Sequence, residues 1–356
     1  MDYFPVFGAV KRFPRYVNKR CADPYVAEYL EIIGKEVPTS WDMPVPNEAA
    51  SYQSLAKYAK PILPLTEQDV EDLNLAWSFA RREFACMQNS SILSAAEAIA
   101  RLDKTTSSGY PFNIKFPKKK DVLDSIPSFE QWIEHDWENL KAPWWSCIAT
   151  SSLKEELRPK EKILQNSIRT FTAMPMEATI HGIRLFGDMN DKLIDSYLQN
   201  SSAIGMSPLH GNWHRLFIKL SVFKNGFALD ESQYDSSLRD FLLWGCCSLR
   251  WDMLRDEDKT PENLWRFRVY YRNLINTIII TPEGVLIFKQ LGNPSGSCNT
   301  VTDNTIILYV LLAFAWIQQT KNREYDMFEA NTRKALLGDD NTWTVSDQFV
   351  EQYNAH

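Results

Sequence analysis

Two strand-like runs, Ala335-Leu336-Leu337 and Thr342-Trp343-Thr344-Val345, are separated by a few residues that begin Gly338-Asp339-Asp340. Apolar and β-branched residues on either side of a glycine–aspartate turn predict a tight hairpin. Asp339 and Asp340 then stand where the two strands meet. A third carboxylate, Asp230, closes the apolar stretch Gly226-Phe227-Ala228-Leu229, which reads as a buried strand, and Asp235 follows shortly after it. Carboxylates are thus presented at two strand ends.

Between these strings lies Gly292-Asn293-Pro294-Ser295-Gly296, a glycine-rich loop feeding a helix whose first turns carry Thr300 and Asn304. Phosphoryl transfer needs hard cations to bridge the attacking hydroxyl and the departing pyrophosphate. Oxygen ligands from two separated backbone segments can hold two such ions roughly 3.5–4 Å apart. Asp230 and Asp339 suit that clamp. Either aspartate string alone is equally an ordinary turn. The middle string, at fixed offsets from both, separates the two readings.

In this combination the chain resembles an RNA-directed RNA polymerase of a positive-strand RNA virus, of the picornavirus-like kind. The text from Ile278 to Val285 leading into Gly292–Gly296 is similar to that of astroviruses. Asp230 and Asp235 match motif A, Ser295 to Asn304 match motif B, and Gly338-Asp339-Asp340 match motif C. Leu102 to Pro111 is similar to motif G, and Lys154 to Lys162 followed by Arg169 is similar to motif F.

The resemblance implies an α+β right-hand fold of fingers and palm, with a small antiparallel palm sheet backed by helices. Fingers would take 1–176, with an N-terminal extended layer, and palm 177–356, with about 261–292 contributing to the fingers. The chain ends at His356, before the motif D lysine, the motif E primer grip and the thumb that the family carries next, so the thumb is expected to be absent.

The implied activity is transfer of NMP from NTP to an RNA 3′-hydroxyl with Mg2+, Mn2+ being the alternative, held by Asp230, Asp339 and Asp340. Arg158, Lys162 and Arg169 would neutralise the triphosphate. Asp235 and Asn304, with Ser295, would sense the ribose, because a 2′-hydroxyl can both donate and accept. Thr300 belongs to the same nucleotide pocket, and Gly296 would allow close approach of the template. Thr106, Ser107, Ser108 and Gly109 would lie along the template entrance. RNA template and primer, NTPs, a protein primer and other viral replication proteins are the implied partners, in replication complexes of the host cytoplasm. Two alternatives stand beside this reading. A reverse transcriptase shares the palm carboxylates but has an aromatic residue before its aspartate pair, where this chain has Leu337-Gly338. A non-catalytic RNA-binding fragment would keep the channel without turnover.

Composition is compatible with this. A chain of 356 residues with 44% hydrophobic and 13% aromatic residues can bury a large core. Its net charge of −6 argues against indiscriminate nucleic-acid binding. Basic residues are local instead, at Lys115 and Lys118 to Lys120 after motif G and through motif F. Six cysteines without Cys-x-x-Cys spacing suggest neither zinc nor a disulfide framework. The first residues lack the order of a signal peptide, and the apolar run Ile306 to Ile317 is too short to span a bilayer, so no membrane anchor is expected.

Along the chain, prolines 5, 14, 24, 38, 44, 46, 61 and 64 punctuate an extended layer. Helices are predicted at 67–88, 91–102, 128–140, 177–198, 236–254, 261–275 and 299–318. Motif F reads as strand-turn-strand, and 277–281 and 285–290 read as a hairpin. On the helix after the glycine-rich loop, Ile306, Ile307, Val310, Leu311 and Phe314 predict one apolar face packed beneath the sheet.

Overall fold

The computed structural model describes residues 6–9, 24–35, 40–45, 47–59, 64–231 and 233–354. Prolines 5, 14, 38, 46 and 61 of the proposed extended layer lie outside the described residues, as do Cys21, Ser232 and His356.

The centre is the helix Thr300–Thr320. Its sequence is apolar almost all round, and a helix of that kind is stable in water only when surrounded. By length and composition it could cross a membrane, but here it is the core helix, and Thr302 to Val310 are all buried. The single apolar face expected for it is therefore corrected to burial on nearly every side. The helix Glu67–Glu83 packs along it, started by a capping box in which Thr66 and Asp69 satisfy each other's backbone N–H groups. The strand Thr332–Leu337 and the helix Asp240–Met253 cover other sides. Around its C-terminal half, Trp316 meets Phe328, Phe349 and Tyr353 at ring-centroid distances of 5.4, 4.6 and 5.3 Å.

Two sheets flank this core. One is a three-stranded antiparallel sheet in the order Asn225–Phe227, Asp340–Val345, Thr332–Leu337. The other has five strands in the order Val6–Ala9, Val285–Lys289, Thr277–Ile280, Ile148–Leu153, Thr170–Ala173, with one parallel pair, Ile148–Leu153 beside Thr277–Ile280. A short pair joins Trp41–Asp42 to Arg158–Pro159. The fold is that of mixed helices and antiparallel sheets expected for a right-hand polymerase.

Most predicted helices are present, with ends shifted by a few residues. Pro261–Ile275 begins where Pro261 occupies the first turn and the Thr260 hydroxyl accepts from the Asn263 N–H. Three further expectations are corrected. The strand before Asp230 is not buried and stops at Phe227, because it is a half-exposed edge. Motif F is not a plain strand-turn-strand: the helix Lys160–Leu164 fills the turn between Arg158–Pro159 and Thr170–Ala173. The proline-punctuated region contains a helix, Glu48–Ala56, capped by the Asn47 side chain. Helices Asn212–Leu220 and Tyr325–Asn331 were not anticipated.

One ion pair ties the core together. Arg250 and Asp303 are both fully buried, with Nη2 to Oδ1 at 2.7 Å. Arg250 also donates to Thr302 Oγ1 at 2.8 Å and Asn190 Oδ1 at 3.0 Å, and the Tyr271 hydroxyl donates to Asp303 Oδ2 at 3.0 Å. Burial pushes the Asp303 carboxyl up against the pull of Arg250, and Asp303 holds the guanidinium charged. Removing one member strands the other charge, which typically costs about 3–5 kcal/mol. Asp303→Asn should therefore lose about that much stability, whereas Arg250→Met with Asp303→Leu should recover most of it. Urea unfolding of both variants checks this, and equal losses in the two would contradict it.

Candidate active site

The hairpin carrying the paired aspartates is closed by a two-residue loop. Leu337 pairs with Asp340, and Gly338 takes φ +66°, the left-handed value that suits glycine at the first loop position. The Gly338 N–H donates to Thr305 Oγ1 at 2.8 Å, while that hydroxyl donates to the Val301 carbonyl at 2.8 Å. Thr305 thereby fixes the hairpin to the core helix, one residue after Asn304. Asp339 and Asp340 are exposed at the tip.

The glycine-rich loop is held from behind by Lys289. Its buried Nζ lies within hydrogen-bond distance of four carbonyls, those of Leu274, Ile275, Leu291 and Gly292 at 2.8, 3.0, 3.0 and 2.7 Å, which share its three N–H groups. Two of those carbonyls are the exposed ends of the helix Pro261–Ile275, and a cation there meets the negative helix terminus. With no carboxylate among these partners, burial drives the Lys289 pKa well down. Gly292, at φ +76°, donates its N–H to the Leu238 carbonyl at 2.9 Å. The Asn293 N–H then reaches the Asp235 carbonyl at 2.8 Å.

Asparagine orientation follows from that contact. Asn293 Nδ2 donates to Asn304 Oδ1 at 3.0 Å, so the Asn304 amide must present its own Nδ2 to Asp235 Oδ1, where a short hydrogen bond forms. The Tyr234 hydroxyl donates to the Asn304 carbonyl at 3.1 Å. Burial raises the Asp235 pKa; the Asn304 bond, Lys57 and Lys154 oppose the rise, and the nearby Asp339 adds to it.

Ser295 and Gly296 bind the loop to the strand Thr170–Ala173. The Thr172 N–H donates to Ser295 Oγ at 3.1 Å. A Cβ at Gly296 would lie 2.1 Å from the Thr172 carbonyl oxygen. The close approach that requires glycine at 296 in this structure is to the chain's own backbone. Thr300 Oγ1 donates to the Pro294 carbonyl at 2.6 Å and closes the loop onto the helix.

A cleft of about 310 Å³ opens between these parts. Asp235, Ser295, Thr300, Asn304, Asp339 and Asp340 all line it. Asp230 is outside that lining, exposed just beyond the edge strand, where continuing the antiparallel register puts it across from Asp340. Arg158, Lys162 and Arg169 are not cleft-lining either. Arg158 and Arg169 both face Glu156, at 3.0 and 3.9 Å, and Lys162 is exposed on its short helix. The charges acting on Asp235 come instead from Lys154 and from Lys57, in the N-terminal region to which no chemistry had been assigned. Of the four template candidates, Thr106 and Ser107 are exposed, whereas Ser108 and Gly109 are buried. The Ser108 carbonyl accepts from the Met176 N–H at 3.0 Å, and a Cβ on Gly109 would strike Pro175.

Among the described residues no three His, Cys, Asp or Glu side chains form a ready-made metal cage. The donor set nevertheless suits magnesium, which is usually held by one or two carboxylates with substrate phosphates and waters completing the shell. Asp230, Asp339 and Asp340 supply hard oxygen donors from two segments, open to solvent on the side of the cleft.

The structure is similar to a solved Sicinivirus 3Dpol RNA dependent RNA polymerase, with a TM-score of 0.74 at 18% identity, covering 98% of this chain and 75% of that one. The family model described as viral RNA-dependent RNA polymerase matches residues 1–355. The chain belongs to the viral RNA-dependent RNA polymerase family. Among relatives of this polymerase-family chain, the genome polyprotein of Beet mosaic virus is 35% identical over 213 residues, 58% of this chain and 7% of the polyprotein. Genome polyprotein 1 of Barley mild mosaic virus is 26% identical over 369 residues, 98% of this chain and 16% of that protein. The chain therefore spans less than a fifth of either polyprotein. The particular likeness to astroviruses finds no support among these relatives.

Gly296→Ala tests the loop geometry. The new methyl group must displace Thr172, so a stability loss on the order of 2 kcal/mol is expected, read by thermal melting. Unchanged melting would mean that the loop is not seated on that strand.

Proposed function

We propose that this chain is the catalytic part of a template-directed RNA polymerase that transfers NMP from NTP to an RNA 3′-hydroxyl during viral genome replication. The observation that carries the reading is one hydrogen-bonded unit, Asn293–Asn304–Asp235, in the same cleft as Asp339 and Asp340. The family supplies the reaction class, and the cleft groups Asp235, Asn304, Asp339 and Asp340 support the reading.

Asp230, Asp339 and Asp340 are the residues to hold magnesium, which when bound lowers the pKa of the attacking hydroxyl and offsets charge on the phosphates. The protein's own part is positional. Thr305 and the core helix hold the hairpin aspartates, and the Asn304–Asp235 pair sits where a ribose can reach it. A 2′-hydroxyl can donate to the Asp235 carboxylate and accept from the Asn304 amide, replacing the bond the two make with each other. A deoxyribose offers no such partner, and Asp235 and Asn304 keep the bond they make with each other. Lys57 and Lys154 add positive charge at that end of the cleft, and Arg158 and Arg169 can exchange Glu156 for a triphosphate. Thr106 and Ser107 remain template contacts in this reading. RNA template and primer, NTPs, a protein primer and other viral proteins are the proposed partners, and the host cytoplasm the proposed location. Family membership sets aside a reverse transcriptase.

Magnesium-dependent incorporation of labelled NTPs on a primed RNA template tests the proposal. Asp339→Ala is expected to lower incorporation at least about 100-fold, the scale of losing a main electrostatic stabiliser. Salt-sensitive RNA binding with no incorporation by the unmodified chain would favour the non-catalytic alternative. For the ribose pocket, Asp235→Ala and Asn304→Asp should each reduce the preference for NTP over dNTP by about 10-fold or more, the scale of a lost hydrogen bond between the 2′-hydroxyl and a charged group or its partner. An unchanged preference in both variants would sink that assignment.

A further inference from the structure

Asp230 stands outside any regular element, three residues beyond the end of its strand, yet the proposed chemistry needs it aligned with the hairpin aspartates. The described ladder between Asp340–Val345 and Asn225–Phe227 pairs Val345 with Asn225, Thr344 with Gly226 and Trp343 with Phe227. Continued by two residues, the register would bring Asn341 opposite Leu229. Backbone pairing has already ended there, and the Asn341 side chain takes its place. Oδ1 accepts from the Leu229 N–H at 3.1 Å, and Nδ2 donates to the Leu229 carbonyl at 3.0 Å and to the Asp339 carbonyl at 3.3 Å.

The carboxamide thus acts as a peptide group offset from the backbone, bonding Leu229 in both directions as a ladder partner does. Its acceptor and both amide hydrogens are used, and the residue is buried. A side chain of different length or polarity does not reproduce this set. Serine is too short, glutamine one methylene too long, and aspartate lacks both donors. Leu229 immediately precedes Asp230, and Asp339 lies two residues before Asn341, so a single amide touches the backbone on both sides of the carboxylate group.

We infer that Asn341 is a positioning residue for the metal carboxylates, fastening the Leu229–Asp230 segment to the Asp339–Asp340 hairpin so that both can address the same cation. This rests on the two-metal reading above for its metal half, but not for the clamp itself. The Asn341 carboxamide is taken up by backbone groups. Its effect is the separation it maintains between Asp230 and Asp339.

Two readouts test it on the whole chain. The first is hydrogen exchange of the Leu229 amide, followed by NMR on protein labelled with ¹⁵N-leucine. The second is Mn2+ binding by electron paramagnetic resonance with an NTP present, Mn2+ serving as probe. Asn341→Leu, nearly isosteric, is expected to raise Leu229 exchange about 10-fold or more as its hydrogen-bond partner is lost, and to raise half-saturating Mn2+ by about the same factor. Asn341→Asp retains the acceptor for the Leu229 N–H while losing both donors, so its exchange should fall between the two; it also serves if the leucine variant does not fold. Leu229 exchange within about twofold of the unmodified chain in both variants would overturn the clamp. Faster exchange with unchanged Mn2+ affinity would reduce Asn341 to a local structural contact and overturn the positioning role. Failure of the unmodified chain to bind Mn2+ would instead refute the two-metal reading, and the exchange data would still decide the clamp.

Discussion

The buried pair Arg250–Asp303 is the constraint on which the site geometry depends. Asp303 is followed directly by Asn304, and one turn of helix separates it from Thr300. A charge this deep is tolerable only with its hydrogen bonds complete. Arg250 obtains them from Asp303, Thr302 and Asn190, so the helices Asp240–Met253, Met176–Asp195 and Thr300–Thr320 meet in one arrangement. Tyr271 brings in a fourth helix. Apolar packing alone tolerates small slides and rotations. A buried ion pair with directional partners does not, and here it fixes the rotation of the helix that presents Asn304 to the cleft.

From that fixed helix the site is built by short links to backbone. Thr305 holds Gly338, Ser295 is held by Thr172, and Asn293 sets the orientation of the Asn304 amide. Lys289 gathers four carbonyls behind the loop. These contacts place the burden of positioning on groups other than the carboxylates and leave Asp339 and Asp340 exposed. The arrangement suits a site that must accept cations and a highly charged substrate, since carboxylates consumed by internal ion pairs could not ligate metal. Asp235 is the exception, being half-buried and hydrogen-bonded, and it is also the carboxylate proposed to read a neutral hydroxyl.

Much of this was legible in the sequence because it is local. The hairpin follows from Gly338 between strand-like runs, and the helix Pro261–Ile275 from Thr260 and Pro261. Asp235, Ser295, Thr300, Asn304, Asp339 and Asp340 were grouped by motif order, and the fold brings them to one cleft. The misses share a cause. Asn341, Thr305, Asn293, Lys57 and Arg250 act through partners that are mostly distant in sequence, and nothing in their immediate neighbours marks an asparagine or threonine as a tie rather than a surface residue. Asn341 adjoins the aspartate pair and was still passed over, because its significance lies in Leu229, 112 residues earlier. Ser108 and Gly109 differ in the opposite sense, in being buried. A small-residue loop reads as open, and only the fold reveals that both are packed against the start of the helix Met176–Asp195.

The basic finger follows the same logic on the opposite side of the charge balance. Arg158 and Arg169 share one carboxylate, Glu156, and the Arg169 side chain is largely exposed, so the longer contact of 3.9 Å is a weak, solvent-screened pair. A triphosphate bears more charge than one glutamate and offers several acceptors, so exchange of partners favours the ligand once it is present. Glu156 then has a role of its own. It keeps two guanidinium groups together in a segment of short elements, which in the proposed reading would lower the ordering cost on nucleotide binding. In the proposed reading, the surface ion-pair network and the nucleotide channel are one set of residues with interchangeable partners.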